Sequence, residues 1–181
     1  MASITNITPE QMVAHWANWR PRYDMAINNF LVKATSFFEY HFKGAITDGS
    51  WNGKSYPQRS SDWIRRIRKK YGSVYPILRE TETMKNSIKN KKDSNRTSVI
   101  YTDPRAYRTS RRNPRNRCYA AVHNEGLPLA HGGNMPKRQF MGNNSHWELE
   151  ARQILVNELA QVFPGLHGAF SEVSWGIGFK R

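Results

Sequence analysis

The stretch that decides the fold is residues 119–126, which read YAAVHNEG, together with residues 135–142, which read MPKRQFMG. The first part is small and apolar, which predicts a buried central strand over residues 118–122. Gly126 then predicts a turn. The second part predicts a short strand or extended segment that Phe140 holds against the core. A helical pattern over residues 147–163 follows directly, with a capping signal at Ser145 and with Leu149 on its apolar face.

These residues resemble the signature of the phage virion morphogenesis family, the tail-completion and neck proteins of tailed bacteriophages. That signature runs roughly Tyr-Ala-x-x-His-x-x-Gly, then Pro-x-Arg-x-Phe-x-Gly, then a C-terminal helix. The chain matches it at eight positions: Tyr119, Ala120, His123, Gly126, Pro136, Arg138, Phe140 and Gly142. Residues 76–88 also resemble the family, but Glu82 and Met84 stand where many relatives carry glycine and leucine. In this stretch Ile77, Leu78, Met84 and Ile88 are predicted to anchor the chain against the core.

The resemblance implies a structural virion protein with no enzymatic activity and no cofactor. Members of the family act as rings at the neck, or head-proximal end of the tail, where they complete the tail and join it to the filled head. The implied partners are other copies of the chain, the connector or portal-side proteins and the tail-tube proteins. Packaged DNA in the channel is a further non-specific contact, and no membrane is involved. The implied locations are the virion and, during assembly, the host cytoplasm.

Composition and charge are compatible with this function and with others. The chain has 181 residues, enough to bury a core without disulfides, and a formal net charge of +14. A positive field of this size favours nucleic acid, an acidic protein surface or an anionic membrane. Cys118 is the only cysteine, which excludes an intrachain disulfide and favours a reducing compartment. The chain carries no long apolar run and no signal-peptide pattern at its start, which predicts synthesis in a cytoplasm.

The remaining pattern predicts an α+β fold. A helix start at Thr8 is followed by a proposed break at Pro21 and by a long amphipathic helix that ends at Gly44. Residues 47–57 predict a loop. Strands near Ser87 and Val99 form a hairpin with residues 89–96 at its exposed tip. With the strand at Tyr119, this hairpin completes a small antiparallel sheet. We expect this sheet to pack against the long N-terminal helix and the C-terminal helix. The expected units are a helical arm (1–22), the main domain (23–165) and a C-terminal strand or arm (166–181).

Basic residues concentrate in two segments. A short helix after Ser61 predicts a basic face made of Arg65, Arg66, Arg68, Lys69 and Lys70. Residues 103–117 predict an extended arm that carries six arginines: Arg105, Arg108, Arg111, Arg112, Arg115 and Arg117. Because like charges repel, we expect this arm to become ordered against an acidic partner or DNA phosphate, and the sequence leaves both open.

The C-terminal residues alternate in polarity and predict one strand face, made of Val173, Trp175, Ile177 and Phe179. Such a strand can complete the chain's own sheet or add to the edge of a neighbour's sheet, and both readings stand. A ring of identical subunits needs donor and acceptor patches on each copy. We therefore expect the arginine arm and this tail to serve as interfaces.

Two functions from other classes stand beside the assembly reading. The first is a non-enzymatic DNA-binding accessory protein that contacts phosphates through the basic segments. The second is a nuclease that uses His123 and Glu125, joined by His146. His123 and Glu125 would share one face if the predicted strand continued that far. The six histidines are scattered, and none forms a metal-binding pair with a carboxylate at the usual spacing. We therefore predict no catalytic and no metal-binding residues.

Overall fold

The computed structural model describes four ranges of the chain: residues 8–79, 82–106, 119–128 and 133–163. Its longest element is helix α1 (Pro9–Asp48), which has 40 residues and continues past the predicted end at Gly44. Apolar residues at helical spacing point into the core from α1, namely Ala26, Ala34, Phe38, Phe42, Ala45 and Ile46. Helix α5 (Ser145–Val162) and the β3–β4 hairpin (Ile88–Ser94 and Thr97–Thr102) pack on this helix.

The predicted break at Pro21 is wrong, because Pro21 lies inside α1. Tertiary contacts hold the helix on both sides of it. The Trp19 and Phe163 rings lie 4.5 Å apart between centroids, and Arg22 donates a hydrogen bond of 2.9 Å to the Val162 carbonyl. These contacts offset the backbone hydrogen bond that proline cannot donate.

The stretch predicted as a loop contains a small hairpin, in which β1 (Ser50–Trp51) pairs antiparallel with β2 (Lys54–Ser55). Asn52 and Gly53 form the turn with φ angles of 51° and 73°. Two positive φ angles are the requirement of a type I′ turn, which Asn-Gly satisfies best. Trp51 packs from this hairpin onto the core.

Helix α2 (Ser61–Tyr71) confirms the predicted basic helix. Its N-cap is Ser60, whose hydroxyl accepts from the Trp63 amide, and it ends at Gly72 in the left-handed region with φ 75°. The predicted anchors that follow are also confirmed. Met84, in the short helix α3 (Thr83–Ser87), is buried, and Ile77 and Leu78 pack against the core.

The predicted hairpin is confirmed as β3 (Ile88–Ser94) and β4 (Thr97–Thr102), which pair antiparallel with Ile88 opposite Thr102. The strand is longer than expected, because residues predicted as the exposed tip belong to β3. One face of β3 lies on α1: Ile88 is fully buried, Asn90 bonds Glu39 and Lys92 bonds Asn28. A 3-10 turn (Pro104–Ala106) follows β4.

The central strand predicted over residues 118–122 is wrong. Tyr119–Glu125 forms helix α4, with Ala120 buried. Its C-terminus is closed by the amides of Gly126 and Leu127, which both donate to the Val122 carbonyl at 3.0 and 3.2 Å. Gly126 has φ 71°, so it caps a helix rather than ending a strand. Consecutive alanines suit this helix, because alanine has the most favourable helix propensity.

Helix α5 (Ser145–Val162) confirms the predicted C-terminal helix, and it packs along α1. Its N-cap is Asn144, whose side chain accepts from the His146 and Trp147 amides, rather than the predicted Ser145. Leu149, predicted on the apolar face, is 60% exposed. The α+β class is confirmed by α1, α5 and the two small antiparallel sheets.

A buried carboxylate joins α1 to α5, which yields a test of the fold. Glu158 is 3% exposed and pairs with the partly exposed Lys33. Lys33→Met leaves this carboxylate buried and unpaired, so we expect the free energy of unfolding in urea to fall by roughly 2 kcal/mol. In the double variant Lys33→Met/Glu158→Gln most of this loss should be recovered. Equal losses in the single and the double variant would contradict the role of the pair.

Candidate interaction surfaces

Helix α4 and the extended segment 135–142 are joined by three hydrogen bonds. The Arg138 amide donates to the His123 carbonyl at 2.8 Å. The Asn124 side-chain oxygen accepts from the Phe140 and Met141 amides, each at 3.0 Å. Phe140, 1% exposed, anchors this segment in the main core. We call His123, Asn124, Gly126, Arg138 and Phe140 the motif cluster.

Backbone geometry favours glycine at two signature positions. A Cβ on Gly126 would lie 3.0 Å from the Lys137 Cβ and 3.1 Å from its amide nitrogen, so the close approach of the two segments requires glycine there. At Gly142 a Cβ would meet only the flexible end of the Gln139 side chain, and the φ angle of 145° is the reason for glycine. Both positions also have positive φ angles that favour glycine. The glycines of the sequence signature therefore have a steric reason in this fold.

The other signature residues divide between core and surface. Ala120 is 2% exposed and Arg138 is 5% exposed, so both belong to the interior. Tyr119 is 38% exposed, and Pro136 is exposed as well. The buried residues hold the segment in place, and the exposed ones are available for contacts with other molecules.

His123 sits in a positively charged environment. Burial, and after it the charges of Arg138 and Arg59, together lower the pKa of its imidazole to about 4. Its Nδ1 is buried and has no hydrogen-bond partner among the described residues. The imidazole is therefore neutral at physiological pH.

Arg59 fixes the start of α2 against the following loop. Its guanidinium carbon lies 4.0 Å from the centre of the Trp63 ring and 4.9 Å from that of Tyr75. It also donates to the Tyr75 and Pro76 carbonyls at 2.6 and 3.1 Å. A groove of about 340 Å³ runs beside it, between the β1–β2 hairpin and Ile64 of α2.

The predicted basic face lies on the exposed side of α2. All five residues are exposed, and α2 has no buried residue: Arg65, Arg66, Arg68, Lys69 and Lys70. Arg65 pairs with Asp62 at 2.7 Å, but both side chains are more than 70% exposed, so water screens the pair. This surface presents a continuous positive charge.

Most of the predicted interface residues lie outside the described residues. Arg105 is exposed in the 3-10 turn, where its amide donates to the Asp103 carboxylate at 2.9 Å. The other arm arginines and the tail lie in undescribed ranges: Arg108, Arg111, Arg112, Arg115, Arg117, Val173, Trp175, Ile177 and Phe179. Their proposed roles stay predictions.

The geometry separates the two residues of the nuclease hypothesis. His123 and Glu125 were expected to share a strand face, but they lie two residues apart on α4, about 200° around the helix axis. In the described parts of the chain, no group of three or more histidine, cysteine, aspartate or glutamate side chains is arranged to hold a metal ion. None of the helices described there has the length and apolar character needed to span a bilayer.

Sequence reasoning missed Asn124 and Arg59. Asn124 lies inside the signature, but the two amides that donate to its side-chain oxygen belong to residues 16 and 17 positions further along the chain. Arg59 contacts residues 16 and 17 positions away. Neither contact produces a repeating pattern in the amino-acid sequence, because both contacts depend on how separate segments pack together.

Comparison of the chain with protein-family models, with curated proteins and with solved structures finds no match.

The Asn124 side chain offers a test of the motif cluster. Asn124→Ala leaves the Phe140 and Met141 amides without their acceptor, so we expect a loss of roughly 2 kcal/mol in the free energy of unfolding. Asn124→Asp keeps an acceptor oxygen and should lose clearly less. Urea unfolding followed by tryptophan fluorescence measures both. Equal stability of Asn124→Ala and wild type would contradict the assignment.

His123 predicts a pH dependence of stability. Its pKa is about 4 in the folded chain against 6.5 for an ordinary histidine, so the unfolded chain binds more protons between these values. Stability should therefore fall as the pH is lowered from about 6.5 to about 4, by roughly 2–3 kcal/mol in total. In His123→Gln the fall should be smaller by that amount. Parallel pH profiles of the two proteins would contradict the assignment.

Proposed function

We propose that the protein is a non-enzymatic structural component of a tailed-phage virion. It acts at the neck or head-proximal end of the tail as one subunit of an oligomeric ring. The observation that carries this proposal is the motif cluster: the signature residues His123, Arg138 and Phe140 meet in one unit, through the backbone bond from Arg138 to His123 and through Asn124, which lies between signature positions and accepts from Phe140. The signature thus corresponds to one structural feature, which supports the resemblance on which the function rests.

An exposed apolar stripe on α1 supports oligomer formation. Met25, Val32 and Tyr40 are 59%, 61% and 73% exposed. Their spacings of seven and eight residues place them on one side of the helix, away from the buried stripe, with the exposed polar residues Asn29 and Ser36 between them. These three side chains give a neighbouring subunit apolar surface to bury. In a ring, this stripe would meet a different patch on the next copy.

The remaining partners follow from charge and from the resemblance. With a net charge of +14, the subunit is suited to acidic surfaces on connector, portal-side or tail-tube proteins. The same charge suits packaged DNA that passes through the ring. The arginine arm and the tail are the proposed donor segments.

The α1 stripe gives a direct test of the assembly role. Val32→Glu should abolish complementation of a phage in which this gene is silenced, lowering the titre at least tenfold, because a charge would be buried at the subunit interface. Val13→Glu is the matched control: Val13 is 69% exposed and lies about 120° from the stripe. Circular dichroism would establish that both variants fold. Full complementation by Val32→Glu would contradict the interface.

A second candidate function is DNA binding as an accessory protein. The exposed α2 basic face favours it, because five cations on one short helix form a phosphate-binding surface without base readout.

DNA binding predicts a salt-dependent affinity for duplex DNA. Replacing Arg66, Arg68 and Lys69 by Gln should lower the slope of log K against log salt by about 3 if each contacts a phosphate. Lys89→Gln/Lys91→Gln, on the exposed side of β3, is the control for loss of charge alone. Fluorescence anisotropy of a labelled duplex measures both. Identical slopes in all three proteins would exclude α2 as the DNA contact.

A further inference from the structure

The apolar side of helix α2 is not fully covered by the described parts of the chain. Trp63, Ile64 and Ile67 recur at helical spacing on one side of α2, opposite the basic face. A surface helix of this kind usually buries its apolar side against the core. Yet α2 has no buried residue, and these three side chains are only half-buried. Part of this apolar surface is therefore open to another molecule.

The opening beside α2 is the groove of about 340 Å³ near Arg59. Its apolar walls include Ile64 of α2, together with Val74 and Ile77 of the loop that follows. Val74 is 37% exposed although its side chain is apolar. Arg59 also lines the groove, but its guanidinium already binds two backbone carbonyls and two aromatic rings. The groove therefore offers an occupant mainly apolar surface.

Asp48 adds a negative charge to the groove wall. It is the last residue of α1, where the negative end of the helix dipole adds to its carboxylate and no basic residue stands in the last turn. Asp48 is exposed, and none of the ion pairs between described residues includes it. Burial, and after it the charge of Asp48, raises the pKa of the Tyr56 hydroxyl in the same wall. The groove thus suits an occupant that carries apolar side chains next to a cation.

The tail of the chain has this chemistry in its sequence. Four alternating apolar residues precede two cations there: Val173, Trp175, Ile177 and Phe179, then Lys180 and Arg181. An extended segment can place alternate side chains against a groove and the following cations beside a carboxylate. The arginine arm is also basic, but it has few apolar side chains to fill the groove.

The length of α1 favours the tail of a neighbouring copy over the chain's own tail. Phe163, at the end of the described residues, packs on Trp19. Trp19 lies about 44 Å from Asp48 along α1. A fully extended chain from Phe163 to Trp175 spans at most about 40 Å. Seating Trp175 in the groove of its own chain would stretch the intervening residues to their limit, whereas a second copy has no such constraint.

We propose that the groove binds residues 173–181 in the tail of a neighbouring copy of this chain. The apolar side chains of that tail lie against Ile64 and Val74, and its Lys180 or Arg181 pairs with Asp48. This deepens the proposed ring and rests on it in requiring a second copy. The groove is then the acceptor patch that a heterologous interface needs.

A labelled peptide with the sequence of residues 171–181 is the probe for the groove. The sample is the full-length chain with four substitutions that prevent its own tail from competing: Val173→Ser, Trp175→Ser, Ile177→Ser and Phe179→Ser. We expect saturable binding in fluorescence anisotropy. Adding Val74→Lys should weaken it at least about tenfold, because a cation would stand among apolar walls and repel the cations of the peptide. No saturable binding, or equal affinity for both chains, would overturn the proposal.

Val99→Lys is the matched control for added charge. Val99 is also 37% exposed, but it lies on β4, outside the groove. The affinity for the peptide should stay within about twofold of the parent chain, because salt screens an exposed charge away from the contact. Circular dichroism would establish that both lysine variants fold. An equal loss of affinity in the two variants would overturn the proposal.

A double-mutant cycle tests the ion pair with Asp48. Asp48→Asn should weaken binding of the wild-type peptide about threefold, as expected for an exposed ion pair. It should not change the affinity for a peptide with Lys180→Gln and Arg181→Gln, because the partner charge is already missing. Equal effects on the two peptides would overturn the proposed seating of the tail.

Cross-linking distinguishes a neighbour's tail from the chain's own. The photoreactive analogue benzoylphenylalanine replaces Phe179 in the full-length chain, and ordinary chains are mixed with isotopically heavy chains. Cross-links from position 179 to the groove should include pairs that join a light chain to a heavy one. Cross-links within single chains only, or only outside the groove, would overturn the proposal. The ring itself is judged separately by complementation with Val32→Glu, since the α1 stripe does not depend on this contact.

Discussion

The packing of α1 against α5, the β3–β4 hairpin and the β1–β2 hairpin is the constraint on which the rest of the structure depends. Phe42 and Ile46, 1% and 0% exposed, lie at the centre of the main core. Burial of each such side chain contributes about 1.5–3 kcal/mol. The core consists of two clusters, one around Phe42 and one around Leu159, and α1 and α5 both contribute buried residues to each of them.

The motif cluster depends on this scaffold in turn. Phe140 enters the same core as Phe42, which brings residues 135–142 within reach of α4. The Asn124 side-chain oxygen then accepts a hydrogen bond from the Phe140 amide of this segment. The hydrogen bond from the Arg138 amide to the His123 carbonyl fixes how residues 135–142 align with α4. The backbone hydrogen bond of Arg138 places its side chain in the interior. This explains how the cation stays there although burying a charge is unfavourable in free energy.

Elements with strong local signals were predictable from the sequence. Helix α2 has a serine cap and a terminal glycine, and α5 has long apolar periodicity, so both were found. The α4 segment was misread because a short run of small apolar residues fits a buried strand as well as a helix. The contacts of Asn124 and Arg138 were beyond sequence reasoning, since they depend on how distant segments pack. The arginine arm and the tail stay predictions.

The measurement that tests the proposed function most directly is electron microscopy of particles made when this gene alone is silenced in an infected host. The account predicts DNA-filled heads separate from tails, or tails left unfinished, because the ring that joins them would be missing. Intact infectious particles would contradict it, and DNA binding would then be the better explanation of the +14 charge.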